Sequence, residues 1–386
     1  MDFLKRSWVE INLDSIVANL NAVKSVADGK RIMAVVKADA YGHGAACVAP
    51  VLEEAGVDFF AVSNIDEAIE LRYAGIKSNI LILGHTPAEY AKELAENHIT
   101  QAVMSAQYAA ALSAAALSAG VEIDIHIKLD TGMGRIGFIC REGIDPADEI
   151  VAAVSLKGLR FRGLFTHFAA ADTDEAYTKL QYSRFCRVAD ALKAKGFAPE
   201  ICHCSNSAGI LLQKDMQMDM VRAGIILYGL TPDDSIALPK DFRPAMAFYS
   251  TIAQVKKLSE DESVSYGRSF KTKGETLCAT LPVGYADGYR RALSNKGEVL
   301  IGGKKAPVLG RVCMDQTVVD ISNIADAKEG DKVLLFGESL PAEEIARLCD
   351  TINYEIVCGI SRRVPRVYIK NGKEVFSKTY IYEEEK

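Results

Sequence analysis

From Arg31 to about Tyr228, short apolar runs alternate with longer segments whose apolar positions recur every three to four residues. Runs of four to eight apolar residues bounded by turn signals read as buried strands, and the longer period reads as amphipathic helix. The pattern predicts strands over 31–37, 58–63, 79–83, 101–104, 122–129, 161–167, 200–204 and 218–222. Between them it predicts helices over 43–55, 65–74, 87–97, 106–119, 146–155, 174–195 and 206–213, with another over 13–27 ahead of the first strand. The alanine-rich piece Ala106 to Ala119 is a run of high helix propensity stopped by Gly120. Eight strands with helices between them predict an α/β fold, a (β/α)8 TIM-type barrel.

Near Pro232 to Pro244 the texture changes. Thr231-Pro232-Asp233-Asp234, Pro239 and Pro244 make a turn-rich connection that predicts a domain boundary, with a barrel over 1–240 and a second domain over 241–386. The second part is predominantly β: strands are predicted over 246–258, 275–284, 298–301, 306–320, 331–336 and 366–369, with one helix over 341–351. Gly302-Gly303 marks a hairpin. The tail Glu383-Glu384-Glu385 reads as a solvated end, and no repeat of solenoid length is present.

Composition narrows the function. At 386 residues and 49% hydrophobic content the chain can bury a large core and divide into two domains. A formal net charge of −6 argues against a nucleic-acid surface. No apolar run is long enough to cross a bilayer, and the charged start, Met1 to Glu10, lacks the apolar centre of a signal peptide. Nine cysteines at irregular spacing fit a reducing compartment, so a cytoplasmic location is expected. Cys202-His203-Cys204 has no second ligand pair at zinc spacing, and core packing with no metal is the expectation there.

Candidate chemistry stands at the ends of the predicted strands, where barrels carry their active sites. Lys37, Lys128, His167, Asn206-Ser207 and Arg222 each follow or end an apolar run. Lys37 has two readings: an amine snorkelling out of a strand end, or a desolvated amine suited to forming a Schiff base with a carbonyl. Ser207 is at once a helix-capping position and, with Gly224-Ile225 after the eighth strand, a phosphate seat of the kind this fold builds there. A reactive lysine on the first strand with a phosphate seat by the last two suits pyridoxal 5′-phosphate.

An ordered set of motifs extends across nearly the whole chain. In the first part stand Ala34-Val35-Val36-Lys37-Ala38-Asp39-Ala40-Tyr41-Gly42-His43-Gly44, Lys128-Leu129-Asp130-Thr131-Gly132-Met133-Gly134-Arg135, Thr166-His167-Phe168-Ala169 and Val221-Arg222-Ala223-Gly224-Ile225. In the second stand Val264-Ser265-Tyr266-Gly267, Val283-Gly284-Tyr285-Ala286-Asp287-Gly288, Arg311-Val312-Cys313-Met314-Asp315 and Ile360-Ser361-Arg362-Arg363-Val364-Pro365-Arg366. With these motifs the chain resembles the alanine racemases, pyridoxal-phosphate enzymes with an N-terminal barrel and a C-terminal β domain.

The resemblance implies that Lys37 holds the cofactor and is one of two acid–base groups. Tyr266, donated by the other subunit of a homodimer, is then the second, on the opposite face of the substrate. It implies that Arg222 faces the cofactor's pyridine nitrogen, where a guanidinium can donate a hydrogen bond but cannot release its proton. Without the motif around it, Arg222 reads as a salt bridge at the barrel rim. By the same resemblance His167 lies near the ring, Arg135 contacts the cofactor oxygen and the substrate carboxylate, and Met314 offers that carboxylate a backbone contact. Tyr41, Asn206, Ser207, Gly224, Ile225 and Tyr354 match cofactor-binding positions, and Tyr285, Asp172 and Arg311 match a polar entryway. Lys128 is often carbamylated in the family; an unmodified Lys128 paired with Asp130 or Asp315 is the other reading. Tyr354 is aromatic, as in the alanine-selective members, while Phe270 and Arg362 depart from common family residues without touching a named role. The implied activity is interconversion of L- and D-alanine, supplying D-alanine for peptidoglycan. A barrel decarboxylase is the first rival, although it would place a carboxylate near the pyridine nitrogen. A cofactor-carrying barrel without enzymatic activity is another, and such barrels lack the second domain.

Overall fold

The structure, a computed structural model, describes residues 3–381 and contains two large sheets. The first is built from Arg31–Val35, Phe59–Val62, Asn79–Ile82, Ile99–Val103, Ile123–Asp130, Leu159–Phe165, Ile201–His203 and Met220–Ala223, the eight strands expected from the apolar runs. The first seven pair in parallel order, and the eighth returns to pair in parallel with the first, Met220 opposite Arg31 and Ala223 opposite Ala34. Between the seventh and eighth strands the Asp219 N–H donates to Cys202 O at 3.1 Å and the Arg222 N–H to Ser205 O at 3.0 Å. A parallel sheet with helices outside it is buried on both faces, which is why its strands read as unbroken apolar runs.

The helices begin where a polar side chain can accept an orphan backbone N–H. Asn12 Oδ1 accepts from Ser15 N, Asn64 Oδ1 from Glu67 N, Ser105 Oγ from Tyr108 N and Asp174 Oδ1 from Tyr177 N. The alanine-rich helix spans Ala106–Ala119 and ends on a left-handed Gly120, as its composition predicts. No helix among the described residues is long and apolar enough to cross a membrane.

The second sheet has ten strands. The expected strand over 246–258 divides at Ile252. Met246–Thr251 pairs with Lys332–Phe336, whereas Gln254–Leu258 turns to pair with Thr276–Leu281. Lys304–Leu309 and Thr317–Asp320 likewise divide the expected 306–320, and Arg366–Lys370 is followed by an unanticipated partner, Lys373–Lys378. The helix expected over 341–351 stops at Leu348, and a second one, Asn353–Cys358, follows it. The acidic tail Glu383-Glu384-Glu385 lies outside the described residues.

Ser7–Asn12 is the main addition. This strand, in a stretch noted at the sequence level only for its charge, lies inside the second sheet, antiparallel to Met246–Thr251 and parallel to Arg366–Lys370. The chain therefore threads the second sheet before its helix Leu13–Ala27 begins the barrel. One apolar core runs through both parts.

Asn19, fully buried on that helix, fastens the exit from the barrel. Its amide donates to Leu227 O and Arg243 O at 3.0 and 2.9 Å, and its carbonyl accepts from Arg243 N at 2.7 Å. The backbone at Gly229, φ +71°, runs so close to Arg243 that a Cβ there would lie 1.8 Å from its carbonyl oxygen. Gly229→Ala is expected to destabilise the protein by about 4 kcal/mol or more, because backbone on both sides must move. Gly196→Ala, with φ +83° but nothing within 4 Å of its Cβ, should cost only about 1 kcal/mol. Melting temperatures of the two variants separate collision from backbone strain.

Candidate active site

The C-terminal strand ends converge on a cavity of about 300 Å³ lined by Lys37, Tyr41, His167, Asp172, Asn206, Ser207, Arg222, Gly224, Ile225 and Tyr354, with Leu83 and Cys358. A second cavity of about 220 Å³ shares Lys37, Leu83, His167 and Arg222 with it and adds Lys128, Arg135 and Phe165. The second domain closes one side through the helix Asn353–Cys358, which brings Tyr354 and Cys358 to the mouth of the barrel.

Lys37 enters this space from an unusual piece of backbone. Ala38, Asp39, Ala40 and Tyr41 are all left-handed, with φ from 51° to 54°. Each such non-glycine residue costs roughly 1–2 kcal/mol, so the turn must be held from outside. Glu67 accepts from Ala38 N, and Asp39 accepts from Ala45 N, both at 2.7 Å. Tyr380 donates to the other Asp39 oxygen at 2.5 Å. Beyond the turn, Arg366 Nε donates to Gly42 O at 3.2 Å and the Tyr368 hydroxyl to His43 O at 3.1 Å. The buried His43 ring sits with Nδ1 3.0 Å from both Ala40 O and Tyr41 O. Burial pushes its pKa down to about 4, so the ring is neutral and its Nδ1–H serves these carbonyls. Lys37 and Tyr41 are thereby aimed into one cavity.

Arg222 is buried at the end of the eighth strand. The rim salt bridge that stood as one reading is absent: among the described residues no carboxylate reaches this guanidinium. One terminal nitrogen donates to His203 Nδ1 at 2.8 Å and His203 O at 3.1 Å. The other donates to Thr166 O at 2.7 Å and Cys204 O at 2.9 Å, and lies 3.3 Å from His167 Nδ1. Nε–H has no acceptor among the described residues. Burial lowers the pKa to about 10, so the group is still a cation at neutral pH.

That cation, with Arg135, depresses its neighbours. The Lys37 amine is lowered by desolvation first and by Arg135 next. Lys128 falls to about 7 through desolvation, then Arg222 and Arg135. His167 and His203 are held well below the ordinary imidazole value by burial and then by Arg222. Pairing of Lys128 with Asp130 or Asp315 is corrected. Asp130 is taken by Arg141 at 3.0 Å and by the N–H groups of Gly132 and Gly134, and Asp315 by Arg363 at 2.6 Å. Lys128 Nζ donates to Leu129 O at 3.2 Å and sits 5.1 Å over the Phe165 ring.

At the other end of the cavity the Ser207 hydroxyl accepts from Gly224 N at 3.1 Å. A Cβ on Gly224 would stand 2.9 Å from the Tyr41 hydroxyl. Tyr41 and Tyr354, ring centres 6.0 Å apart, have their phenols pushed up by burial and remain O–H donors. Hydroxyls and backbone N–H groups around a glycine cradle make a seat for a phosphate. The free Nε–H of Arg222 is a donor awaiting an acceptor such as a ring nitrogen. The residues present fit pyridoxal 5′-phosphate.

Not every expected residue is here. Tyr266, 71% exposed, and Met314, 53% exposed, line a separate open depression of about 460 Å³ together with Ser265, Cys313, Asp315 and Gln316. Next to it, the Arg311 guanidinium stands 3.1 Å from where a Cβ on Gly267 would be, and the Tyr285 N–H donates to Cys313 O at 3.0 Å. This depression shares no lining residue with either of the cavities at Lys37. Sequence reasoning missed His203 as a partner of Arg222. It also passed over His126, whose Nδ1 lies 3.0 Å from His203 Nε2, and Cys358 beside Lys37. Strand alternation, which sets His203 on the face opposite its cysteine neighbours, was the available signal.

Lys128 yields a stability prediction. The folded amine releases its proton near pH 7 and the unfolded one near 10.5, so between these values the unfolded chain binds more protons and stability rises with pH. The burial cost is present in full below pH 7. Lys128→Met in carbon-dioxide-free buffer should therefore stabilise the protein most at pH 6, by up to about 1.4 kcal/mol per unit of lowered pKa. The advantage should shrink towards pH 10. Melting temperatures across that range measure it.

Comparison with known proteins identifies the family. Residues 11–232 match the family described as "Alanine racemase, N-terminal domain" and residues 245–368 the one described as "Alanine racemase, C-terminal domain". The alanine racemase of Clostridium tetani is 44% identical over 385 residues, covering 98% of this chain and 99% of its own. That of Desulforamulus reducens is 46% identical over 366 residues, covering 94% and 98%. The solved alanine racemase of Clostridium difficile 630 superposes with a TM-score of 0.94 at 43% identity over 99% of this chain and all of its own. The Bacillus anthracis enzyme, solved with bound L-Ala-P, gives 0.93 at 36% identity over 99% of each chain. Matched in both its parts and along nearly all of its length, the chain belongs to the alanine racemase family of isomerases.

Proposed function

We propose that this chain interconverts L- and D-alanine by two proton carriers, Lys37 on one side of the substrate and Tyr266 from a second copy of the chain on the other. The observation that carries the reading is the division of the site: Lys37 and the phosphate seat share one cavity, while Tyr266 and Met314 stand exposed around another. A pairing of two copies that seats each depression against the other's makes two complete sites. Racemisation needs carriers on opposite faces, since a single fixed base returns the proton to the side it came from.

Pyridoxal 5′-phosphate, held at Lys37, Tyr41, His167, Asn206, Ser207, Arg222, Gly224, Ile225 and Tyr354, would supply the electron sink that makes the Cα proton of alanine removable. The chain's own residues do the rest. The Lys37 amine, its pKa lowered by burial and by Arg135, gives up its proton more readily than an exposed lysine and can act as a base. The Tyr266 phenol delivers a proton to the opposite face and recovers it in the reverse direction. Arg135 and the Met314 backbone hold the substrate carboxylate. Lys128, with a pKa of about 7, is largely unprotonated just above neutrality, the state that adds carbon dioxide to form a carbamate able to orient Arg135. Tyr285, Asp172 and Arg311 form the entryway, and the confined, charged space admits small zwitterions. The Clostridium difficile relative solved as a complex with cycloserine supports a ligand of that size. The product D-alanine would serve peptidoglycan synthesis in the cytoplasm.

The test is D-alanine formation from L-alanine by wild type, Lys37→Ala, Tyr266→Phe and a mixture of the two variants. Each variant alone should lose about 10²–10⁴-fold or more. After subunit exchange the equimolar mixture should recover about one quarter of wild-type activity, because half the dimers are hybrids with one intact site. A mixture that exchanges subunits and stays inactive contradicts the shared site.

A further inference from the structure

Tyr266 is exposed, and a side chain on a loose loop cannot deliver a proton to one face of a carbon reproducibly. The residue before it stands in a backbone conformation that a side chain should avoid. Ser265 has φ 63° and ψ −177°, a region occupied almost only by glycine. Gly267 and Arg268 follow with φ of 70° and 50°, so three of four consecutive residues are in the positive half of the map. Strain at a non-glycine position persists only where its surroundings over-determine it.

Those surroundings are specific. The Ser265 hydroxyl donates to Arg311 O at 2.5 Å and lies 3.3 Å from Cys313 Sγ. Its Cβ is pressed against the opposing loop at Gly310, where an added Cβ would be 2.8 Å from it and 2.6 Å from Val264 O. The carbonyl it grasps belongs to the residue whose guanidinium borders Gly267, just past the tyrosine. The thiol beside it belongs to the residue before Met314. A single hydroxyl thus ties the tyrosine turn to the loop carrying Arg311 and Met314.

We propose that Ser265 is a positioning residue for Tyr266: its hydroxyl holds the backbone in a glycine-only conformation against the Arg311–Met314 loop, and so fixes the direction in which the Tyr266 phenol points. The proposal rests on Tyr266 being the second proton carrier. It separates stability from function, because the conformation is unfavourable for serine and is kept by contacts that a glycine would not make.

The experiment compares Ser265→Gly, Ser265→Ala and Tyr266→Phe holoenzymes with wild type in deuterated water, starting from each alanine enantiomer. Melting temperature is read together with the ratio of Cα deuterium incorporation with retention to incorporation with inversion. With Tyr266 loosened and Lys37 intact, the proton Lys37 removes is replaced from the same side. For the enantiomer whose Cα proton faces Lys37, retention should then rise over inversion by about tenfold or more in both serine variants, while the other enantiomer, which needs Tyr266 to lose its proton, should exchange more slowly. Ser265→Gly, free of strain, should melt at or above the wild-type temperature. Ser265→Ala keeps the strain without the hydroxyl and should melt below it. A general loss of structure would lower retention and inversion together, and would spare the glycine variant. Wild-type ratios in both serine variants alongside a raised ratio in Tyr266→Phe would overturn the inference alone. A wild-type ratio in Tyr266→Phe would remove the reading beneath it.

Discussion

A guanidinium buried without a carboxylate organises the mouth of this barrel. Isolation of a full charge from water is costly, and Arg222 offsets that cost with backbone dipoles: the carbonyls of Thr166, His203 and Cys204 all point at it. Only converging strand ends can present three carbonyls to one side chain in this way, so the charge depends on the barrel. The consequences spread outward. Lys37 and Lys128 lose protons more readily, His167 and His203 stay neutral, and one donor remains unengaged toward the cavity. A site so rich in positive charge and donors favours a phosphate-bearing ligand before any contact is optimised.

Both proposed proton carriers sit next to strained backbone, and in both cases the strain is held by distant residues. Four left-handed residues follow Lys37, held partly by Arg366, Tyr368 and Tyr380 of the second domain. Tyr266 follows Ser265. The second domain is therefore more than a carrier of Tyr266, because it also shapes the turn that presents the lysine. A buried carboxylate connects the two regions. Asp287 takes Arg6 at 2.8 Å, Arg363 at 2.7 Å and Gly284 N at 2.9 Å, and Arg363 continues to Asp315, next to Met314. Three motifs of the second domain meet at this one charge. A buried acid with two arginines and a backbone donor is fully engaged, and removing any partner would leave the others uncompensated.

What was legible in the sequence followed from periodicity. The eight barrel strands are buried on both faces and announce themselves as apolar runs, and capped helices with a 3.6-residue repeat stand between them. Ser7–Asn12 escaped because Glu10 interrupts a short apolar stretch beside a charged terminus. Its alternation, with Val9 and Ile11 buried on one face, is sound only once its strand partners, hundreds of residues away, are known. The left-handed turn over Ala38–Tyr41 escaped for a different reason. Alanine has no preference for that conformation, and tertiary contacts impose it against local propensity. Strand-end reasoning picked out Lys37, Lys128, His167, Ser207 and Arg222, which line two adjoining cavities, but it could not choose their partners. A rim salt bridge for Arg222 and a carboxylate for Lys128 were reasonable from charge alone, yet the carboxylates nearby are already taken by Arg141 and Arg363.

We propose that Arg222, with its unengaged Nε–H, would meet the ring nitrogen of a bound pyridoxal 5′-phosphate with a donor that keeps its proton at neutral pH. The most direct measurement is the nitrogen-15 chemical shift of pyridoxal 5′-phosphate labelled at the ring nitrogen and bound to the purified protein, compared with an Arg222→Glu variant. The account predicts an unprotonated ring nitrogen in the wild type and a protonated one in the variant. A protonated ring nitrogen in the wild type would contradict it.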